Sequence, residues 1–153
     1  MRNLNHWIAA CMGIGYLKGG GTIAAMVTAL AWWLLRDVEH FTVWSVILTG
    51  LVILVGTITA TKVESDWGKD SSRVVIDEVA GMCVTLLFVP VSVLSVLSGL
   101  VLFRFFDIVK PGYIRKMENL PAGKGVMADD LLAGVYSNLI VHVILYLYPW
   151  QHF

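Results

Sequence analysis

The stretch VVIDEVAGMCVTLLFVPVSVLSVLSGLVLFRFFDI, residues 74–108, decides how the rest of this chain is arranged. As a single helix, its 35 residues would extend about 52 Å, whereas the hydrocarbon core of a bilayer is roughly 30 Å thick. Pro90 lies near the middle, where a proline removes a backbone hydrogen bond and kinks or breaks a helix. The alternative is a helical hairpin that turns near Pro90, with each arm forming a short membrane span.

The composition indicates that the solvent of this chain is a membrane. Of its 153 residues, 58% are hydrophobic and 14% are charged, against roughly 25% charged in an average soluble domain. The mean hydropathy is +0.76, and a soluble domain of this length could not bury so much apolar surface. The net charge of zero argues against a nucleic-acid binder. The length fits a single domain, residues 1–153.

Four windows of the chain carry no charged residue: 19–35, 41–61, 79–103 and 131–153. A helix needs about 20 apolar residues to cross a bilayer, with about 17 as the short limit. The last window closes with Pro149 and the interfacial aromatic residues Tyr146, Tyr148 and Trp150. If the third window is a hairpin, the sequence predicts an all-α integral membrane protein, a compact bundle of about five short membrane helices.

The distribution of positive charge favours the hairpin. With a hairpin and an inner N-terminus, all of the 11 lysine and arginine residues except Arg36 fall on the inner side, as the positive-inside rule requires. With one long helix, the residues from Arg104 to Lys124 would change sides and the bias would vanish. We therefore expect a multi-pass protein with its N-terminus inside and its C-terminus outside.

The same topology gathers acidic residues from three separate segments at the inner face. They are Asp77 and Glu78 at the start of the third segment, Asp107 at the end of the fourth, and Asp129 and Asp130 at the start of the fifth. Clustered carboxylates suit a hard cation such as Mg²⁺, which also bridges to phosphate. No histidine lies near them in the sequence, which argues against zinc or copper. The pattern predicts a magnesium site.

Two further stretches are suited to phosphate. In FRFFDIVKPG, residues 103–112, Arg104 and Lys110 flank Asp107 and could hold phosphate oxygens. The alternative is interfacial snorkelling, which explains the two bases better than it explains the aspartate. In GIGYLKGGGT, residues 13–22, glycines surround Lys18 and precede Thr22, so backbone N–H groups could face a phosphate. Here the alternative is a flexible turn, or glycines that allow close helix packing. The implied task is phosphate chemistry on a lipid headgroup.

Three motifs together resemble the phosphatidylglycerophosphatase A family: IDEVAGM (76–82), FRFFDIVKPG (103–112) and GVMADDLLAG (125–134). The family patterns are DE-x-x-G-M, FR-x-x-D-x-x-KP and DD-x-x-A-G, and the resemblance covers nearly the whole chain. It implies an Mg²⁺-dependent phosphatase of the bacterial inner membrane, with its active site on the cytoplasmic face. Such an enzyme removes the terminal phosphate of phosphatidylglycerophosphate to give phosphatidylglycerol in phospholipid biosynthesis.

The resemblance also implies roles for individual residues. The catalytic and metal-binding acids would be Asp77, Glu78, Asp107, Asp129 and Asp130. The residues that bind the substrate would be Lys18, Thr22, Arg104 and Lys110. The hydrolytic step would be metal-assisted attack by water or would pass through an aspartyl phosphate; the sequence leaves open this choice, the number of metal ions and the proton acceptor.

The glycine-rich stretch departs from the family pattern G-x-G…P-G-T-x-G-S. Gly20 stands in place of the proline, and residues 23–25, Ile-Ala-Ala, replace x-G-S. This keeps another phosphorylated lipid, such as phosphatidylinositol phosphate, open as the substrate. Two other classes are disfavoured. The motif of CDP-alcohol phosphotransferases is absent, and a small cation transporter would place its acids near mid-span. A dimer is compatible with so small a bundle, although no residue predicts one.

Overall fold

The computed structural model describes residues 2–69 and 71–147, with the side chains of residues 2 and 3 excepted. Within these ranges the chain is helical and forms no strand, so the predicted all-α class is confirmed. The helices are α1 (Arg2–Ala9), α2 (Gly20–Leu35), α3 (Phe41–Trp67), α4 (Ile76–Leu86), α5 (Val93–Val109), α6 (Tyr113–Met117) and α7 (Gly123–Leu147). A 3-10 turn, Ile14–Tyr16, lies between α1 and α2.

The hairpin between α4 and α5 is confirmed. Pro90 lies in the break between the two helices, and α5 then starts with a capping box in which Ser92 and Ser95 bond each other's backbone N–H groups. The two arms pack closely and run in opposite directions. A Cβ added to Gly99 would lie 3.1 Å from Leu86 Cδ2, and one added to Gly81 would lie 2.5 Å from Phe103 Cε2.

The first arm of the hairpin is shorter than a membrane span. The 11 residues of α4 extend about 16 Å, roughly half of the hydrocarbon thickness. The irregular residues 87–92 complete the arm. Val89 and Pro90 line a cavity with Arg36 and His40, which places the hairpin turn beside the connection between α2 and α3.

Asn138 of α7 explains how α4 can end inside the bundle. Its Nδ2 donates to the carbonyl oxygens of Leu87 (2.9 Å), Thr85 (3.0 Å) and Val84 (3.2 Å). The last carbonyls of a helix have no partner within that helix, and an apolar medium offers them none. One amide side chain from a neighbouring helix therefore satisfies the end of α4.

By length and apolar composition, α3 and α7 are the two described helices that could cross a membrane, and α2 is a shorter apolar helix. Of the most apolar 18 residues of each, 17% are buried in α3 and 28% in α7, so most of these residues keep some accessible surface. Five spans and an inner N-terminus stay predictions. Tyr146 is 84% exposed, whereas Tyr148, Pro149, Trp150 and His152 lie outside the described residues.

Helix α4 is the centre of the bundle, since eight of its 11 residues are buried. It meets α7 backbone to backbone. A Cβ added to Gly134 would lie 2.5 Å from the carbonyl oxygen of Gly81, and one added to Gly81 would lie 2.7 Å from that of Asp130. Only glycine permits so close an approach. This contact carries Asp130 to the first turn of α4.

Helix α7 begins six residues before Asp129, which corrects the expectation that the aspartates start the last segment. The physical reason is packing against α3: a Cβ on Gly123 would lie 2.8 Å from the carbonyl carbon of Ala60, so a glycine-containing first turn lies directly on that helix. Asp129 and Asp130 are therefore in the second turn of α7, still at the end of the bundle where α4 begins and α5 ends.

Candidate active site

Three carboxylates from two helices meet at this end of the bundle. One oxygen from each of Asp77, Glu78 and Asp130 lies within 4.8 Å of the other two. Asp77 and Asp130 are buried. Glu78 Oε2 and Asp130 Oδ2 are buried without a hydrogen-bond partner among the described residues. Carboxylates packed so closely repel one another unless a cation lies between them, so this set fits a divalent metal held by oxygen ligands.

Asp107 lies beside this cluster and is paired with Arg104. Arg104 Nη1 donates to Asp107 Oδ2 at 2.5 Å and lies 4.0 Å from Glu78 Oε1. Asp107 is also an electrostatic neighbour of Glu78 and Asp130. Arg104 Nε is buried and has no hydrogen-bond partner among the described residues. The guanidinium therefore contacts the acids through one nitrogen and keeps another donor for a phosphate oxygen.

Asp129 forms a second group with Lys110. Lys110 Nζ donates to Asp129 Oδ2 at 2.6 Å and to Glu118 Oε1 at 2.7 Å. Partial burial works to lower the pKa of Lys110, but its hydrogen bonds to the two carboxylates outweigh burial and raise that pKa above the usual range. Lys110 is thus a permanent positive charge that neutralises Asp129 at the edge of the site.

Glu118 is a site residue that the sequence analysis missed. It follows α6, a five-residue helix that comes after Pro111 and Gly112, so no helical periodicity connects it with Lys110. With Lys69 and Asp129 it lines a cavity of about 290 Å³. The only signal in the sequence was an acid in a loop between two motifs, and such a residue is usually solvated surface.

The glycine-rich stretch reaches the acids through close packing. A Cβ on Gly21 would collide with Glu78 Oε1, and one on Gly20 would lie 2.6 Å from the carbonyl oxygen of Ile14. Lys18 and Thr22 are exposed, and neither makes an ion pair or a side-chain hydrogen bond with another described residue. The structure thus brings the glycines, rather than the lysine and threonine, to the acidic cluster.

Seven of the nine predicted site residues therefore fall into three sets, which do not include Lys18 and Thr22. The acids that could share one cation are Asp77, Glu78 and Asp130. Asp107 and Asp129 are held by the two predicted phosphate-binding bases, Arg104 and Lys110 respectively. Acids, cations and closely packed glycines from α2, α4, α5 and α7 thus meet at one end of an apolar bundle.

Comparison with known proteins identifies the family. The family described as phosphatidylglycerophosphatase A matches residues 7–145. The chain belongs to the phosphatidylglycerophosphatase A family. The matched residues include all three sequence motifs and every predicted site residue, so the resemblance seen in the sequence is confirmed. Membership makes the chain a phosphoric monoester hydrolase.

Relatives of the chain carry two different names. Proteins named phosphatidylglycerophosphatase A are 34% identical in Haemophilus influenzae, over 92% of this chain and 88% of that one, and 31% identical in Escherichia coli, over 97% and 88%. A Bacteroides thetaiotaomicron protein is 44% identical over 90% of this chain and 93% of its own, and is named provisionally as a phosphatidylinositol-3-phosphatase. No solved structure matches the chain.

Proposed function

We propose that this protein hydrolyses the phosphate monoester of a phosphorylated glycerolipid headgroup, and that phosphatidylglycerophosphate, cleaved to phosphatidylglycerol, is its first candidate substrate. The observation that carries the proposal is the family match over residues 7–145, which includes the whole acidic cluster. The apolar outer faces of α3 and α7 support a location in the bacterial inner membrane. There the acids would meet the headgroup layer on the cytoplasmic face.

The proposal includes a magnesium cofactor. Asp77, Glu78 and Asp130 would hold it, because their oxygens converge and two of those oxygens are buried without a partner among the described residues. A magnesium ion bound there would supply Lewis acidity toward the phosphate.

The remaining site residues would then act on the phosphate itself. Arg104 would donate to the phosphoryl oxygens and neutralise the charge that builds on them. Asp107 would orient that guanidinium through the bond to Nη1. Lys110 would hold Asp129 in place at the edge of the site. A carboxylate of the cluster would accept the proton of the attacking water.

A second candidate substrate is a phosphatidylinositol phosphate. The relative that is 44% identical carries a phosphatidylinositol-3-phosphatase name and matches 93% of its own length. The glycine-rich stretch next to Glu78 also departs from the family pattern at Gly20 and at residues 23–25. Changes on both sides of Gly21, which abuts Glu78, would alter headgroup preference without altering the chemistry.

The test is phosphate release by the purified protein in detergent micelles. Phosphatidylglycerophosphate and phosphatidylinositol 3-phosphate would be offered side by side, each with Mg²⁺ and with EDTA, and Asp130→Asn would serve as the inactive control. Release from either lipid that EDTA abolishes and Mg²⁺ restores would support the proposal, and the faster lipid would name the headgroup. No release from these or other lipid phosphates would overturn the phosphatase proposal and favour cation transport instead.

A further inference from the structure

A second cavity lies at the same end of the bundle. It is enclosed by α1, the 3-10 turn, the end of α3 and the loop that precedes α4. Its volume is about 630 Å³, within the range of roughly 300–1,000 Å³ that is typical of small-molecule sites. Its functional side chains are His6, Tyr16, Asp66, Trp67 and Arg73. None of them belongs to the acidic cluster, so phosphate hydrolysis alone does not explain them.

Three aromatic rings form one wall of this cavity. The centroid of the Trp67 ring lies 4.7 Å from that of His6 and 6.0 Å from that of Tyr16, and both pairs meet edge to face. His6 Nε2 lies 3.1 Å from Asp66 Oδ2. A carboxylate can accept hydrogen bonds from more than one donor at once. The wall thus combines flat apolar faces with fixed hydrogen-bonding groups.

Arg73 contributes a cation that is held by rings rather than by an acid. Its guanidinium carbon lies 6.0 Å from the Tyr16 ring centroid and 5.9 Å from that of Trp67. Within the described ranges no carboxylate lies within ion-pair distance of it. Its guanidinium donors are therefore available to oxygen atoms of a ligand.

An interfacial belt of aromatic and basic residues would be the simplest explanation of this surface. The pair formed by His6 and Asp66 does not fit that explanation, because their side chains are only 19% and 18% exposed. A largely buried acid and imidazole beside two further rings form a recessed polar site. A belt would present its polar atoms to the headgroup layer.

Closely packed backbone lies between the cavity and the acidic cluster. A Cβ on Gly15 would collide with the carbonyl oxygen of Arg73, just as one on Gly21 would collide with Glu78. Between these contacts, Val75 N donates to the carbonyl oxygen of Ala9 at 2.9 Å. A ligand whose phosphate lies at the acids would place the rest of its headgroup in this cavity by passing over that backbone.

We propose that this cavity binds the polyol part of the lipid headgroup and sets the headgroup specificity of the enzyme. The ligand chemistry is a polyol attached to phosphate, which glycerol and inositol headgroups share. Asp66 accepts hydroxyl hydrogen bonds, Arg73 donates to hydroxyl or phosphodiester oxygens, and the rings pack against the C–H groups of the polyol. A site built to bond hydroxyl groups binds ligands that lack them less tightly, because those additional hydrogen bonds are then not made. The inference rests on the phosphatase function proposed above.

Three lipids that share a phosphate monoester test the proposal: phosphatidylglycerophosphate, phosphatidylinositol 3-phosphate and phosphatidic acid, which has no polyol in its headgroup. In the wild type, kcat/KM should be at least about 100-fold higher for the better polyol lipid than for phosphatidic acid. Asp66→Asn and Trp67→Leu should each lower kcat/KM for that polyol lipid about 10-fold, mainly through KM, and leave phosphatidic acid within twofold.

Matched controls come from the opposite part of α3 and from the connection before it. Trp44→Leu removes a tryptophan that is 59% exposed, and Asp37→Asn removes an aspartate whose side chain is 83% exposed. Both should leave kcat/KM unchanged for all three lipids. Asp66→Asn changes almost no volume, so it tests the proposal even if Trp67→Leu fails to fold. An equal loss on all three lipids, or unchanged selectivity in Asp66→Asn, would overturn the proposal.

If no lipid is hydrolysed, the phosphatase proposal fails but the cavity is still testable by binding. Saturation-transfer NMR would use the soluble deacylated headgroups glycerophosphoinositol and glycerophosphoglycerol with the micellar protein. Signals that appear with the wild type and Trp44→Leu but disappear with Trp67→Leu would support a polyol site. The absence of signals with the wild type would overturn it.

Discussion

Asp130 is the residue at which the proposed chemistry and the stability of the folded protein make the most opposed demands. It is 3% exposed and shares its surroundings with Asp77 and Glu78. Without a cation, the mutual repulsion of these carboxylates destabilises the folded state. We expect Asp130→Asn to lower phosphate release at least about 100-fold, yet to unfold at a higher temperature than the wild type in EDTA. Phosphate assays and thermal unfolding in micelles measure the two effects.

Magnesium provides the control for that comparison. Mg²⁺ should raise the unfolding temperature of the wild type and of Asp37→Asn, because binding to the folded state alone stabilises it. It should raise that of Asp130→Asn much less. If Asp130→Asn gained as much stability from Mg²⁺ as the wild type, Asp130 would not be a ligand.

Arg104 tests whether the shape of a cation matters as well as its charge. Its guanidinium bonds Asp107 through Nη1 and keeps Nε for another acceptor. A lysine ammonium cannot serve both partners in a fixed plane. Arg104→Lys should therefore reduce kcat by about 10- to 100-fold, whereas Arg115→Lys, at an exposed position on α6, should leave it unchanged. Steady-state kinetics measure kcat for both variants. Activity of Arg104→Lys within twofold of wild type would mean that Arg104 is only an interfacial anchor.

The start of α2 controls the position of Glu78. Because a Cβ on Gly21 would collide with Glu78 Oε1, Gly21→Ala must displace either the carboxylate or the helix. We expect at least about a 10-fold loss of kcat/KM and a destabilisation of about 1–3 kcal/mol. Phosphate release and thermal unfolding would both be recorded.

Gly50→Ala is the matched control, since a Cβ on Gly50 would meet nothing within 4 Å. That change lies inside α3 and should leave activity intact and raise stability by up to about 1 kcal/mol, because alanine is the better helix former. Wild-type kinetics for Gly21→Ala would mean that Glu78 can move aside without consequence.

The end of α4 depends on another helix. Asn138→Leu removes the donors that bond three carbonyl oxygens there; the carbonyls of Thr85 and Leu87 lose that partner, while the carbonyl of Val84 keeps the N–H of Leu87. The expected destabilisation is about 1–3 kcal/mol, with a loss of activity because α4 carries Asp77 and Glu78. Ser98→Ala, which removes a hydroxyl bonded to its own helix, should change the unfolding temperature little. Equal unfolding temperatures for Asn138→Leu and wild type would show that other groups satisfy those carbonyls.

The orientation of the whole molecule can be measured by cysteine labelling. In a variant without Cys11 and Cys83, Asp37→Cys reports the end of the bundle near Pro90 and Lys116→Cys reports the end with the acids. A membrane-impermeant maleimide applied to the cytoplasmic membrane of intact spheroplasts should label Asp37→Cys. Lys116→Cys should be labelled only after permeabilisation, as the positive-inside rule predicts. The reverse pattern would place the acids outside, and retained phosphatase activity confirms that each variant is folded.

The sequence predicted the parts of this fold that depend on local chemistry. Pro90 predicted the break in the third apolar window; the capping box of Ser92 and Ser95 that begins the next helix was not predicted. The predicted bounds of α2 agree with the structure to within one residue, whereas α3 continues six residues beyond its charge-free window, through Lys62, Glu64 and Asp66. Helix ends that depend on neighbouring helices were not predicted. Helix α4 ends where Asn138 donates hydrogen bonds to its last carbonyl oxygens, and α7 starts early where Gly123 packs on α3.

The sequence alone predicted that the acids arrive at one end of the bundle, from the order of the apolar windows and the distribution of charge. Only the tertiary structure decided which of the acids converge on one another and which pair with a base. The contact between Gly81 and Gly134 brings Asp130 to Asp77 and Glu78, while Arg104 and Lys110 hold the other two aspartates. The physical reason is the distance over which each kind of interaction acts. Hydropathy and charge act on whole segments, whereas a metal site or an ion pair depends on ångström-scale distances that are set only when helices pack.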